Sequence, residues 1–258
     1  MTLPAKDLDD LRYARTLLEH PSLAARLTSL LGTPIEKGLE LLPANWSAAL
    51  STATRVALTR ALDVAVATMD DRGLVPAANW LHKVTLAATG AAGGALGLSA
   101  LAIELPVSTT VMLRSIVDIG RSEGEQIRSI ESRLACLEVF ALGGRVRSDD
   151  AGEFGYFAIR TALARSMAEA AQFIAERGVA REGAPALVKL VAQIAARFEV
   201  VVSEKAAAQA VPLIGAAGGA IVNLLFIDHF QDVARGHFII RRLERTWGAE
   251  TVRAAYES

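Results

Sequence analysis

Two segments without a single charged residue dominate the pattern of hydrophobic and polar positions along the chain. The first charge-free segment, residues 84–103, is followed by Glu104 and Pro106, and the second comprises residues 206–227. Each is long enough to cross a hydrocarbon core of about 30 Å as a helix. Glycines dilute both segments, and Pro212 interrupts the second. Three interpretations are open: a buried central helix pair, a membrane-spanning pair, or helices that a bundle exposes to a bilayer on demand.

Elsewhere in the chain, apolar residues recur with the spacing of amphipathic helices. Ala, Leu and Arg are abundant, and β-branched residues form none of the short alternating runs typical of strands. We therefore predict an all-α fold, a multi-helix bundle around two Ala/Gly-rich uncharged central helices. The first of these should end before Pro106, with a second helix after the break. The other predicted helices cover residues 6–19, 21–31, 45–69, 125–142, 154–177 and 186–205, with a short helix from about Thr33.

The chain is expected to form one domain, in which residues 1–43 are N-terminal capping helices. The letters GAAGGA occur once in each charge-free segment, beginning at Gly90 and at Gly215. This recurrence suggests that residues 84–121 and 206–245 are related helical units that arose by duplication. The polar loop RVRSDDAGE, near the middle of the chain, is the best candidate linker.

Glycines of these motifs have the small-xxx-small spacing that allows two helix backbones to approach closely. The residues assigned to helix packing are Gly90, Gly94, Gly97, Gly215 and Gly219. A phosphate cradle is not predicted, because neither a strand-turn-helix context nor the Lys-Ser/Thr of a P-loop follows the glycines.

Composition excludes several classes of function. The net charge of −1 gives no reason to expect nucleic acid as a partner. A single cysteine, Cys136, excludes a disulfide framework and is expected to be a small buried hydrophobe. The acidic N-terminus is unlike a signal peptide, so we expect a cytoplasmic location. The mean hydropathy of +0.33 is high, and the excess comes from the two charge-free segments.

Charged and histidine residues near the two segments are the candidate ligand-binding residues. They are Glu104, Arg114, Asp118, Asp228, His229, Asp232, His237, Arg241 and Arg242. Glu104 has two interpretations: a carboxylate that serves the N-terminus of the following helix, or a buried acid placed to bind or move a proton. Arg241 and Arg242 either form a solvated helix end or face phospholipid headgroups.

Both His229 and His237 lie on the apolar side of a predicted helix, where a satisfied core histidine is the commoner outcome. A metal site would have to combine these histidines with Glu104 or an aspartate. Their spacing matches no HExxH or Cys/His metal motif, so neither a metal nor a cofactor is predicted. No nucleophile motif is present either, and catalytic residues therefore stay unknown.

The segment EKAAAQAVPLIGAAGGAIVNLLFIDHFQDVARGHFIIRRLERTWG resembles the EcsC protein family of bacteria. The likeness covers nearly the whole chain. It is strengthened by four further stretches: GTPIEKGLELLP, LSALAIELPVSTTVMLRSIVDIGRSEGE, CLEVFALGG and YFAIR. The family is named from a gene beside an ABC transporter pair. The resemblance implies a bacterial protein that works on the cytoplasmic side of the inner membrane, and it supplies no catalytic residues.

These observations support two hypotheses of different classes. The first is a membrane-associated accessory protein whose charge-free segments bind lipid, another apolar ligand or a membrane protein such as an ABC transporter component. The alternative is a metal- or acid/base-dependent enzyme that uses Glu104, His229, His237 and the nearby aspartates.

Overall fold

The computed structural model describes residues 3–19, 22–32, 34–42, 46–68, 98–144, 155–177, 184–211 and 215–258. All regular structure in these ranges is helical, which confirms the predicted all-α fold. The helices are α1 (Ala5–Leu18), α2 (Leu23–Leu31), α3 (Ile35–Glu40), α4 (Trp46–Thr68), α5 (Leu98–Ser122), α6 (Ile130–Leu142), α7 (Gly155–Arg177), α8 (Pro185–Ala210), α9 (Gly215–Trp247) and α10 (Ala249–Glu257).

Capping residues set several of these boundaries. The Ser129 hydroxyl accepts a hydrogen bond from the backbone N–H of Ser132 at 3.1 Å, so α6 begins at Ile130. The helix predicted from Glu125 is therefore shorter than expected, and Glu125 lies in the preceding turn. At the other end of the chain, Gly248 has a φ of 84° and separates α9 from α10.

The predicted break at Pro106 is wrong, because α5 continues through it. A proline inside a helix removes one backbone hydrogen bond and crowds the preceding turn. Two hydroxyls bind neighbouring carbonyls: Ser108 donates to Leu105 at 3.1 Å, and Thr110 donates to Pro106 at 2.8 Å. The rest of α5 buries a continuous apolar face. The free energy gained by burying this face outweighs the loss of one backbone hydrogen bond. The sequence indicates only that loss, so it predicts a break.

The second charge-free segment is not one central helix. Its first part completes α8, which ends at Ala210, and Val211 has an extended backbone with ψ of 119°. Its second part begins at Gly215 as the N-terminal portion of α9. Only the last residues of the first segment, from Leu98, belong to the described ranges, where they begin α5.

Several predictions about glycines and loops concern residues outside the described ranges. These residues are Gly90, Gly94, Gly97 and the RVRSDDAGE loop. In the second motif, Gly215 opens α9 and Gly219 is buried. The proposed duplication of residues 84–121 and 206–245 stays a prediction.

Helices α5 and α9 run parallel to each other through the middle of the bundle. Hydrogen bonds join them in the same order along both: Glu104 with Asn223, Ser115 with Gln231, and Glu125, just after α5, with Arg241. Within the bundle, four aromatic rings of α6, α8 and α9 pack with centroids 5.0 to 6.2 Å apart. They belong to Phe140, Phe198, Phe226 and Phe230.

Helix α1 lies antiparallel on α9. The indole N–H of Trp247 donates to Asp7 at 2.7 Å, and Arg242 donates to Asp10 at 2.9 Å. Further along, Gly236 permits the contact, because a Cβ atom there would lie 2.8 Å from the Leu18 side chain. None of the helices in the described ranges combines the length and hydropathy needed to span a bilayer.

Candidate functional site

A buried ion pair lies where α5, α8 and α9 meet. The Lys205 ammonium is 2.6 Å from Oε1 of Glu104, and the Asn223 amide donates to the same oxygen at 3.0 Å. The Lys205 side chain is 0% exposed and that of Glu104 is 5% exposed. We call Glu104, Lys205 and Asn223 the buried cluster.

Water contributes almost nothing to the solvation of this cluster, so its own atoms must balance the charges. Burial lowers the pKa of Lys205, whereas the negative charge of Glu104 and its hydrogen bond oppose that shift. The ammonium also lies 4.8 Å from the centroid of the Phe226 ring, a favourable cation–π distance. The second carboxylate oxygen of Glu104, Oε2, has no hydrogen-bond partner among the described residues.

The position of Glu104 decides between its two interpretations. It is an interior residue of α5, because the helix does not restart after Pro106. The interpretation of Glu104 as a carboxylate that serves the N-terminus of a following helix is therefore wrong. Glu104 is a buried acid that is paired with a lysine. Whether it binds a ligand or moves a proton stays a prediction.

His229 and its neighbours form local contacts on α9. The imidazole Nε2 of His229 donates to the carbonyl of Gly143 at 2.8 Å, since a carbonyl can only accept. Asp232 lies 3.5 Å from the Arg26 guanidinium, and both Asp228 and His229 are half-buried. These contacts tie α9 to α2 and to the end of α6.

His237 occupies a different environment, deep in the bundle. Its Nδ1 is 2.9 Å from the Tyr156 hydroxyl, and its Nε2 is 3.7 Å from Oε2 of Glu138. Complete burial, together with the charges of Arg160 and Arg241, holds the pKa of His237 well below its usual value. Burial raises the pKa of Glu138 to about 7. His237 is therefore a neutral core histidine, as its apolar face suggested.

The residues considered for a metal site do not converge. Glu104 binds Lys205, His229 binds the Gly143 carbonyl, and His237 contacts Tyr156. The two histidines are eight positions apart on one helix, which separates them by roughly 12 Å. Across the part of the chain that the structure describes, no three His, Cys, Asp or Glu residues are grouped to hold a metal ion.

Arginines near the C-terminal end of α9 form a second set of ion pairs. Glu125 accepts hydrogen bonds from Arg241 at 2.9 and 3.3 Å and also from Arg245. Arg242 pairs with Asp10 at 2.9 Å and with Glu123 at 3.1 Å. We call these residues the arginine cluster. Arg241 and Arg242, which were candidates for contact with headgroups, thus have carboxylate partners within the chain.

The remaining candidates lie along α5. Asp118 pairs with Arg121 at 3.1 Å, whereas Arg114 is exposed on the helix surface. Cys136 is fully buried in α6, as predicted, and burial raises the pKa of its thiol.

Sequence reasoning missed three residues of the candidate sites, Lys205, Asn223 and Glu138. A usable indication existed for Glu138, since it is the only charge in the apolar run LACLEVFAL. Lys205 adjoins an alanine-rich stretch and gave no comparable indication. Its partner Glu104 is 101 positions away, a separation that local patterns do not bridge.

Comparison with known proteins adds one positive finding. The model of the EcsC protein family matches residues 11–243, which is most of the chain. No curated protein and no solved structure matches the sequence.

Proposed function

Because the chain belongs to the EcsC protein family, we propose that it is a membrane-associated helical accessory protein. Its two charge-free segments bind lipid, another apolar ligand or the apolar surface of a membrane protein, for which an ABC transporter component is a candidate. The proposal places function in association with a membrane rather than in a chemical reaction.

The buried ion pair is the observation that carries this proposal. Glu104 directly follows the first charge-free segment, and Lys205 directly precedes the second. Their 2.6 Å contact brings the end of one segment to the beginning of the other. In this proposal, an apolar ligand that engages one segment near this junction engages the second as well.

An exposed apolar side chain in the second segment offers a point of contact. Ile221, on the N-terminal part of α9, is 42% exposed, and Val107, three residues after Glu104, is 47% exposed. Single exposed apolar residues are common on protein surfaces. These two are notable because they lie within or beside the segments that supply the excess hydropathy of the chain.

Flotation with vesicles of phosphatidylethanolamine and phosphatidylglycerol tests the proposal. We expect the full-length protein to rise with the vesicles and to stay bound at high salt, because the contact is apolar and the net charge is only −1. Ile221→Asp should reduce the floated fraction at least fivefold, since an aspartate at an apolar interface is costly.

Val188→Asp is the matched control. Val188 is exposed on α8, outside both segments, and the substitution introduces the same charge. We expect it to float like the unmodified protein. Failure of the unmodified protein to float, or equal loss in both variants, would overturn the proposal.

A further inference from the structure

A groove runs between α6, α7 and the junction of α9 with α10. Its volume is about 530 Å³, within the range of small-molecule sites. One of its residues, Arg241, is 18 positions along α9 from Asn223, which corresponds to roughly 27 Å. The groove is therefore distinct from the buried cluster, and a ligand bound in it would be independent of the proposed function.

One end of the groove is apolar. Helix α7 contributes Ala164, Ala168 and Ala171, whose small side chains leave space along its surface, together with Met167. Leu134 of α6 lines the groove as well. The thioether of methionine adapts to irregular apolar ligands, and the alanines recur with the spacing of one helix face. This end suits a flexible hydrocarbon chain.

The other end is charged, but the N–H donors of its arginines are already engaged by carboxylates, including those of Arg253, which donates to Glu257 at 2.7 Å. Arg160 of α7 makes two hydrogen bonds to Glu244, at 2.7 and 3.0 Å, and Arg241 makes two to Glu125. A phosphate or carboxylate ligand would have to compete with these internal partners. The groove is accordingly poorly matched to an anionic headgroup.

Glu138 is the buried carboxyl of the groove, and no arginine among the described residues donates to it; the other two glutamates that line the groove without such a donor, Glu131 and Glu250, are exposed to solvent. Glu138 lines the groove, is only 5% exposed, and makes no hydrogen bond to any described residue. Nε2 of His237, 3.7 Å away, is likewise without a hydrogen-bond partner in the described ranges. The positive charges of Arg160 and Arg241 act on this location and disfavour a cationic ligand. Burial raises the pKa of Glu138 to about 7, so the carboxyl can donate as well as accept.

We propose that the groove binds a single-chain amphiphile with an uncharged, hydrogen-bonding head, such as a fatty alcohol. The head binds Glu138, and the hydrocarbon chain lies along the alanine face of α7. The head is selected in two ways. The arginine donors are occupied by Glu244 and Glu125, so an anionic head would have to displace these carboxylates. The charge of Arg160 and Arg241 still acts at Glu138 and His237 and disfavours a cationic head.

Calorimetric titration of the full-length protein with decanol, decanoate and decylamine tests this assignment, since the three probes share a chain and differ in the head. We expect decanol to bind at least fivefold more tightly than either charged probe at neutral pH. Tighter or equal binding of decanoate or decylamine would overturn the choice of an uncharged head, and no binding of decanol would overturn the site.

Ala164→Trp locates the ligand, because the indole would occupy the apolar end of the groove. We expect at least a tenfold loss of decanol affinity. Ala162→Trp is the matched control: Ala162 is exposed on α7 and does not line the groove. Circular dichroism of both variants verifies folding. Equal affinity in the two folded variants would contradict the proposed location.

Discussion

Two sets of ion pairs involve the central helices α5 and α9, and they are built in opposite ways. In the buried cluster, Lys205 and Glu104 are 0% and 5% exposed, and each charge has one oppositely charged partner. In the arginine cluster, Glu125 is buried but its partners Arg241 and Arg245 are 23% and 42% exposed. One set excludes water, whereas the other is open to it.

This difference determines how each set responds to the loss of a partner. A buried charge that loses its counterion stays unsolvated, and the penalty falls on the folded state. Glu125 has two guanidinium partners, and solvent can reach the site if one is removed. We therefore expect an abrupt response from the buried cluster and a graded one from the arginine cluster.

Replacement of Lys205 should have the largest effect. Lys205→Met leaves Glu104 buried without a counterion, and we expect the free energy of unfolding to fall by about 3–5 kcal/mol. Urea unfolding measures the change. Lys189→Met is the control, because Lys189 pairs with Glu169 at the surface and should cost less than about 1 kcal/mol.

The double variant Glu104→Met with Lys205→Met separates unpaired charge from lost packing. It should regain most of the stability, because neither charge remains in the core. Equal stability of Lys205→Met and Lys189→Met would show that the comparison between buried and open ion pairs is wrong.

Glu138 adds a third case to these two sets, because it is a buried carboxyl without a cation in hydrogen-bond contact. Its pKa is about 7 in the folded protein and 4.5 as the ordinary value. The folded state therefore gains stability when Glu138 is protonated. This gain is complete at pH values below the ordinary pKa of 4.5, and it is lost as the pH rises through about 7. Relative to Glu138→Gln, the unmodified protein should lose roughly 3 kcal/mol over this interval.

Urea unfolding of both proteins between about pH 5 and about pH 8 measures this difference. Burial also raises the pKa of Glu204 to about 7. Both proteins contain Glu204, so subtracting one pH profile of the free energy of unfolding from the other leaves the contribution of Glu138. Parallel pH profiles would contradict the assigned protonation of Glu138.

The arginine cluster should give the smallest effects. Arg241→Met removes two hydrogen bonds to Glu125 but leaves Arg245 in place, and we expect a loss of about 1–2 kcal/mol. Arg242→Met, at a more exposed position, should cost less than about 1 kcal/mol. Thermal unfolding ranks the two variants, and a loss as large as that of Lys205→Met would remove the distinction between the clusters.

The sequence predicted most of the fold, because amphipathic spacing and capping residues act locally. The helix predicted at residues 154–177 is found as Gly155–Arg177. The prediction failed at Pro106, where tertiary burial outweighs a local preference, and at Glu125, where Ser129 delays the next helix. Both failures arise from competition between a local rule and a contact or cap elsewhere.

The site was less predictable, because its contacts join distant parts of the chain. Glu104 was recognised as a candidate from its place after a charge-free segment, but nothing local connects it with Lys205. His237 was assigned correctly to an apolar face, whereas its partners Tyr156 and Glu138 come from α7 and α6. Periodicity identifies which face is buried and leaves the partner of each polar group undetermined.

The docking of α1 on α9 has a consequence for biosynthesis. Asp10 and Arg242 lie 232 positions apart, and the apolar side of α1, which includes Leu11, Ala14 and Leu18, is buried only in the finished bundle. A ribosome makes α1 before α9, so the nascent chain presents this apolar side until α9 has been made. Contacts of such high sequence separation slow folding, and chaperones recognise exposed apolar surface. The closure of α1 onto the bundle is thus a late step that has to follow the synthesis of α9.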